Sequence, residues 1–116
     1  MQTIMNRLKK SRFRKSFYLT QKDINYIKRK KIETIYQHAE QFIKNKLINA
    51  KSDGKQTPFK GHPVFIAQHA TATCCRKCVE KWHKIPKSKE LSEMDIAHFR
   101  NIIMGWIGKQ MVNDDS

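Results

Sequence analysis

The sequence predicts a mainly α-helical fold, a single compact helical domain with at most one short strand near Val64–Ala67. Apolar residues recur at spacings of three and four over residues 32–47 and again over residues 96–107, which is typical of helices that bury one face. The strings LTQKDI and LSEMDI, which begin at residues 19 and 91, each combine an N-cap residue, an acidic residue three positions later and two flanking apolar residues. With 116 residues, the chain has the length of one domain.

Residues 1–18 are predicted to form a basic N-terminal arm. Six basic side chains are interleaved there with Leu8, Phe13, Phe17 and Tyr18, and they are Arg7, Lys9, Lys10, Arg12, Arg14 and Lys15. Cationic side chains mixed with aromatic rings can contact phosphate and stack on bases. The alternative is a solvated, partly frayed arm whose rings dock on the core.

Two helices are expected after the arm. The first has Thr20 as its N-cap and Asp23 as the partner in a capping box. The apolar stripes on either side of residues 29–31 differ in phase by about 80°, which predicts a break between the two helices. The four consecutive cations at this break are candidates for phosphate contact, although a charged surface turn explains them equally well. They are Lys28, Arg29, Lys30 and Lys31.

The second half of the chain is expected to begin with a loop and to end with a helix. Residues 49–61 are rich in turn-forming residues and predict a loop with a turn at Asp53–Gly54. The last helix is predicted to start after Ser92. Residues 112–116 are polar and expected to fray, so that the helical domain spans residues 19–111.

The charge is strongly positive and unevenly distributed. There are 24 Lys and Arg against 10 Asp and Glu, a net charge of +14. Residues 1–60 hold 16 of the basic and 4 of the acidic residues, so the positive field belongs to the first half. Such a field attracts polyanions, and nucleic acid is the expected partner. No apolar stretch is long enough for a membrane span, and we expect a cytoplasmic protein whose cysteines act as thiols or metal ligands.

Residues 61–86, GHPVFIAQHATATCCRKCVEKWHKIP, contain all three cysteines and three of the five histidines. Cys75, Cys78 and His83 form C-x2-C-x4-H, a spacing that suits tetrahedral zinc and resembles a zinc knuckle. The knuckle's last cysteine is replaced by Ser88, so His69 is predicted as the fourth ligand. Cys74 and His62 are the alternates for this position, and His38 is a further alternate metal ligand.

The same segment has two metal-free interpretations. If the helix runs unbroken, His83 lies about 140° around from Cys78, and only a local turn would let it join the cysteines. Cys75, Cys78, Val79 and Trp82 would then form a buried stripe, as in an interaction protein with a cysteine-lined core. Alternatively, Arg76 and Lys77 could lower the pKa of a neighbouring thiol and so activate a nucleophilic cysteine.

A second pattern resembles the zinc deaminases of nucleosides and nucleobases. His38-Ala39-Glu40 matches H-x-E, and Cys75 and Cys78 match the C-x-x-C that follows it in those enzymes. The resemblance implies that His38 and the cysteines bind zinc while Glu40 moves protons. Cys74 stands where those enzymes have proline. The alternative function is therefore a zinc-dependent enzyme acting on nucleic acid or nucleotides, either deaminase-like or hydrolytic.

The strings DGKQTPFKGHPVFIAQHATATCC and CVEKWHKIP resemble an uncharacterised bacterial and phage family, the domain of unknown function numbered 4186. The resemblance extends from about Phe17 to Ile107. The family pattern has glycine where this chain has Lys31, Lys77 and Lys84. The resemblance brings no established activity with it.

These observations together predict a small zinc-binding protein that binds nucleic acid through its basic first half. The predicted phosphate contacts are the cations of the arm, those of the break at residues 28–31, and Arg76.

Overall fold

The computed structural model describes residues 2–48 and 57–115, and these form helices joined by turns. The helices are α1 (Gln2–Lys9), α2 (Arg12–Lys15), α3 (Gln21–Lys30), α4 (Ile32–Ile43), α5 (Pro63–Ala70), α6 (Arg76–His83) and α7 (Glu93–Asp115), and a π-helical turn, Lys44–Ile48, continues α4. The mainly α-helical prediction is confirmed. Over the described ranges, no helix combines the length and apolar character that a membrane span needs.

Both predicted helix starts have the expected capping geometry. The Asp23 backbone N–H donates to Thr20 Oγ1 at 3.3 Å, and the Thr20 backbone N–H donates to the Asp23 carboxylate at 3.0 Å. Ser92 and Asp95 repeat this exchange at the start of α7. Helix α7 includes most of the tail that was expected to fray, and Ser116 lies outside the described residues.

The predicted break falls at Lys31, whose φ of 73° separates α3 from α4. Lys84, at the end of α6, also has a positive φ, of 64°. These are two of the three positions at which the family resemblance implies glycine, the residue that adopts positive φ without steric cost. The third, Lys77, lies within α6. The turn predicted at Asp53–Gly54 lies outside the described residues.

The apolar run Val64–Ala67 forms part of α5, and none of the described residues forms a strand. Pro63 occupies the first turn of α5, where its missing N–H is not needed. His62 caps the helix, since its Nδ1 accepts a hydrogen bond from the Val64 backbone N–H at 3.0 Å. A short apolar run has no periodicity that separates strand from buried helix, and the local capping therefore decides.

The main core lies where α4, α5 and α7 pack together, around Ile35, Ala39, Phe99 and Ile103. A smaller cluster joins Ile4 and Leu8 of α1 to Ala72 and Ile102. Part of the predicted N-terminal arm is thus helical and packs beside the turn between α5 and α6.

Candidate metal centre

The three cysteines lie where a buried turn after α5 leads into the first turn of α6. The Thr73 backbone N–H donates to the Gln68 carbonyl at 2.8 Å, and Gln68 Nε2 donates to the Thr73 carbonyl at 3.2 Å. Ala72 has a φ of 59°, which L-residues rarely adopt. These contacts fix the direction in which the chain enters α6.

Cys74, Cys75 and Cys78 form one cluster. Their sulfurs lie within 4.8 Å of one another, and all three residues are free thiols. Cys74 and Cys75 are buried, and Cys78 is half-buried. Two thiolates on one tetrahedral zinc are about 3.8 Å apart, given a Zn–S bond of about 2.3 Å. The cluster could therefore hold a metal ion after a small contraction.

Positive groups surround these sulfurs. Cys75 is the N-cap of α6, and its Sγ accepts a hydrogen bond from the Cys78 backbone N–H at 3.4 Å. Arg14, which is only 7% exposed, donates from Nη2 to Cys78 Sγ at 3.1 Å. Its Nη1 donates to the His69 carbonyl at 2.6 Å and lies 3.7 Å from Cys74 Sγ. A helix N-terminus and a guanidinium both stabilise thiolate over thiol.

The three sulfurs differ in their affinity for protons. Hydrogen bonding from the Cys74 thiol, followed by that from Arg14, lowers the pKa of Cys78 to about 5, while burial opposes this shift. The Cys74 hydrogen bond also lowers the pKa of Cys75. The pKa of Cys74 is raised because its thiol donates to both neighbours and is buried. Cys74 therefore holds its proton most tightly of the three, and a metal ion bound by all three sulfurs would have to displace that proton.

His69 lies beside the cluster and lines the same pocket of about 120 Å³. Its Nε2 is 3.0 Å from the Thr57 carbonyl and 3.2 Å from the Pro58 carbonyl. A carbonyl only accepts hydrogen bonds, so Nε2 carries the proton and the neutral ring keeps a lone pair on Nδ1. Burial, the largest influence, lowers the pKa of His69 and favours this neutral form.

His83 lies apart from the sulfur cluster. Its Nε2 donates to the Thr71 carbonyl at 2.8 Å, and its ring packs edge-on against Phe99 with centroids 5.2 Å apart. Helix α6 is unbroken from Arg76 to His83, so the local turn that would bring His83 to Cys78 is absent from this described segment. Burial is the main reason why the pKa of His83 is lowered to about 4.

The structure places the H-x-E residues elsewhere as well. His38 Nδ1 lies 2.9 Å from His62 Nε2, and His62 Nδ1 is occupied by its capping hydrogen bond. Glu40 accepts a hydrogen bond from Arg100 Nη1 at 2.9 Å. Among the residues that the structure describes, neither histidine belongs to the cysteine cluster. The deaminase-like arrangement, in which His38 shares an ion with the cysteines, is not formed.

The cations predicted to contact phosphate fall into two groups. Arg7 Nη1 donates to the Trp82 carbonyl at 2.8 Å, and Arg76 Nη2 donates to the Pro86 carbonyl at 2.5 Å. Like Arg14, these two arginines therefore connect separate segments of the chain. The remaining candidates are exposed, namely Lys9, Lys10, Arg12, Lys15, Lys28, Arg29, Lys30 and Lys31.

The sequence did not indicate the positions that Cys74 and Arg14 take in the structure. Cys74 was predicted only as an alternate ligand, behind His69. The change of direction at Cys75, the N-cap of α6, brings Cys74 to the same side as the other two cysteines. Arg14 is separated from Cys78 by 64 residues, and nothing in the string RFRK distinguishes it from its surface neighbours.

The fold and the site define a small helical protein with a candidate three-cysteine metal centre. The family model for the domain of unknown function DUF4186 matches residues 2–108, and the chain belongs to this family. No solved structure matches the chain.

Proposed function

We propose that the protein binds zinc through Cys74, Cys75 and Cys78 and binds nucleic acid through the exposed cations of its first half. The observation that supports the zinc site is the convergence of three sulfurs within 4.8 Å at the N-terminus of α6. Cysteine-rich sites of this kind are typical of zinc in a reducing environment.

The charges around the cluster favour a divalent ion. Zinc with three thiolates carries a net charge of −1, and burying an uncompensated charge is costly. Arg14, hydrogen-bonded to Cys78 and close to Cys74, would make the assembly neutral. The same guanidinium would orient the sulfurs, as hydrogen-bonding partners of metal ligands commonly do.

We propose His69 as the fourth ligand. Metal-binding histidines usually donate their second ring N–H to a carbonyl or carboxylate, and His69 makes this contact through Nε2 to Thr57. Its free Nδ1 lone pair and its place in the pocket beside the cysteines support this role. The ring would have to move to complete a tetrahedral set, because His69 is not among the residues whose ligand atoms lie within 4.8 Å of one another.

Metal analysis of protein purified without a histidine tag tests the site. We expect about one zinc per chain, lost in the Cys75→Ser, Cys78→Ser double variant and weakened by Cys74→Ser. Cobalt substitution of wild type and His69→Ala then identifies the fourth ligand from the visible spectrum, with His98→Ala as the matched histidine control. Undiminished zinc content in the double variant would exclude this centre.

The nucleic-acid part of the proposal is supported by the exposed cations on α1, α2 and the corner between α3 and α4. Replacing Lys9, Lys10, Arg12 and Lys15 with Gln should weaken binding and reduce the slope of log affinity against log salt by about 3, because each phosphate contact contributes about 0.7–0.9. Lys84→Gln, Lys87→Gln provides the control outside the first half. A flat salt response in wild type would refute this part.

A zinc-dependent enzyme is the second candidate, because the pocket beside the cysteines leaves room for water on the metal, as catalytic zinc sites do. No carboxylate is found among the described residues that line this pocket, and Glu40 is bound to Arg100. A deaminase-like enzyme would lose activity in Glu40→Gln while keeping its zinc. If the protein only binds nucleic acid, Glu40→Gln should change neither its zinc content nor its affinity for nucleic acid.

A further inference from the structure

Two phenylalanines are exposed at the mouth of the pocket that leads to the cysteines. Phe13 is 50% exposed and Phe59 is 59% exposed, whereas the other four phenylalanines are buried or half-buried. Both exposed rings line the same pocket, although they come from distant parts of the chain. A single exposed apolar residue is ordinary, but two exposed rings that share one pocket form an apolar patch, and such patches mark candidate binding surfaces.

Phe59, His69 and Phe17 form a parallel set of rings beside this pocket, and Phe13 stands nearly perpendicular to it, at 86° to Phe17. Phe59 stacks on His69 with centroids 4.2 Å apart and planes 11° apart. Phe17 is nearly parallel to both, at 5° to Phe59 and 16° to His69. His69 is buried and Phe17 is half-buried, so Phe59 is the member of the set that presents most of its ring to solvent. A further flat ring placed on Phe59 would extend the set.

The surroundings of these rings favour an anionic partner. Residues 1–22 and 54–79, which supply the rings, contain no Asp or Glu. Arg12 and Lys15 lie on α2 with Phe13, Lys60 follows Phe59, and all three cations are exposed. The ligand should therefore combine flat rings with negative charge, as a nucleic-acid strand does.

We infer that Phe59 forms a stacking platform for an unpaired nucleobase, with the nearly perpendicular Phe13 ring against an edge of that base, so that the nucleic acid bound is single-stranded. The inference rests on the proposed nucleic-acid binding and adds the form of nucleic acid that is recognised. Bases in a duplex have their faces covered by their neighbours, and only an unpaired base can place its face on Phe59. The cations contact the phosphates on either side of that base.

The test compares two labelled single-stranded oligonucleotides of equal length, one of them with abasic sites that keep the phosphates and lack the bases. Fluorescence anisotropy is measured with the zinc-loaded full chain. Wild type should bind the strand with bases about 5- to 150-fold more tightly than the abasic strand, the range that corresponds to one stacked base. It should also prefer the single strand to its duplex.

The variants Phe59→Leu and Phe13→Leu keep apolar side chains and remove the rings. Each should reduce the preference for bases while leaving affinity for the abasic strand and zinc content unchanged. Met94→Ala, at a site that is 83% exposed at the start of α7, is the control and should behave as wild type.

Equal binding of the two strands by wild type would overturn the stacking platform and leave the proposed nucleic-acid binding intact. Absence of salt-dependent binding to any strand would overturn both. If Phe59→Leu loses its zinc, its effect on binding belongs to the metal centre. Phe13→Leu alone then tests the stacking platform, and an unchanged preference for the strand with bases would count against it.

Discussion

Replacing Arg14 with methionine tests the coupling between the basic segment and the cysteines. Methionine fills much of the same space but provides neither charge nor donors. The substitution removes the hydrogen bonds to Cys78 Sγ, at 3.1 Å, and to the His69 carbonyl, at 2.6 Å. The site is buried, so water cannot readily replace these partners.

The size of the effect follows from these two contacts. A hydrogen bond to a charged group contributes about 1.5–3 kcal/mol, and an unsatisfied buried carbonyl costs about 1–3 kcal/mol. Since such contributions are not fully additive, we expect Arg14→Met to lower the free energy of unfolding by about 3 kcal/mol. Zinc affinity should fall about 10- to 100-fold, as it does when second-sphere partners of metal ligands are removed.

The size of the loss in zinc affinity depends on pH, whereas a general loss of packing would not depend on pH in this way. The hydrogen bond from Cys74 is the largest cause of the lowered pKa of Cys78, and Arg14 adds to it; without Arg14 this pKa rises, so zinc competes with a proton on Cys78 up to a higher pH. The difference in zinc affinity between Arg14→Met and wild type should therefore shrink as the pH approaches about 8.5, the ordinary pKa of a thiol.

Competition with a chromophoric chelator measures zinc affinity, and urea titration measures stability. Arg14→Lys keeps the charge without the two-pronged geometry and should recover part of the affinity. Arg12→Met, on the exposed side of the same helix, is the matched control. Zinc affinity of Arg14→Met equal to that of Arg12→Met at every pH would refute the reasoning.

Two further predictions concern the backbone and the histidine pair. Lys84→Gly should raise the free energy of unfolding by about 1 kcal/mol, because Lys84 has a φ of 64°. Lys77→Gly, within α6, should lower it by up to about 1 kcal/mol. Urea titration measures both, and a lower free energy of unfolding in both variants would contradict this prediction. Burial and, after it, the nearby His38 lower the pKa of His62 to about 4, while Asp23 opposes this shift. Because the unfolded chain then binds a proton more readily than the folded one, the free energy of unfolding should fall as the pH is lowered from 6.5 to about 4. This loss should be about 1–2 kcal/mol after allowance for partial solvent screening. The variant His62→Asn keeps a capping side chain and should show a smaller loss. If its stability depended on pH as that of wild type does, His62 would be excluded as the source.

Local rules predicted much of the fold. The capping boxes at Thr20 and Ser92 depend on residues three positions apart, and both are formed. The break at Lys31 followed from the phase of two apolar stripes. The strand considered at Val64–Ala67 shows the limit of this approach, because the deciding signal was Pro63 and the His62 cap rather than the apolar run itself.

The site was only partly predictable. Cys75 and Cys78 were identified because C-x-x-C is a local pattern, but Arg14 reaches Cys78 from 64 residues away. His83 was included because its spacing suits a knuckle, yet α6 stays helical through Cys78 and turns His83 toward Phe99. Spacing identifies ligands only when the local backbone is known, and contacts between distant segments follow from the packing of α1 and α2 on the rest of the chain.

That packing links the two parts of the proposed function. Arg14 and Phe13 are neighbours on α2, and the Arg14 guanidinium lies 4.9 Å from the Phe13 ring centroid. A metal ion would join the three sulfurs into one assembly of net charge −1 and fix in place the sulfurs that Arg14 contacts, at 3.1 Å for Cys78 and 3.7 Å for Cys74. The ion would thereby hold α2, and with it Phe13 and the exposed cations, against the pocket that contains Phe59. Removing zinc should therefore weaken nucleic-acid binding even though no metal ligand contacts the strand. Equal affinity for a single strand with and without chelator, in protein that has demonstrably lost its zinc, would separate the two functions.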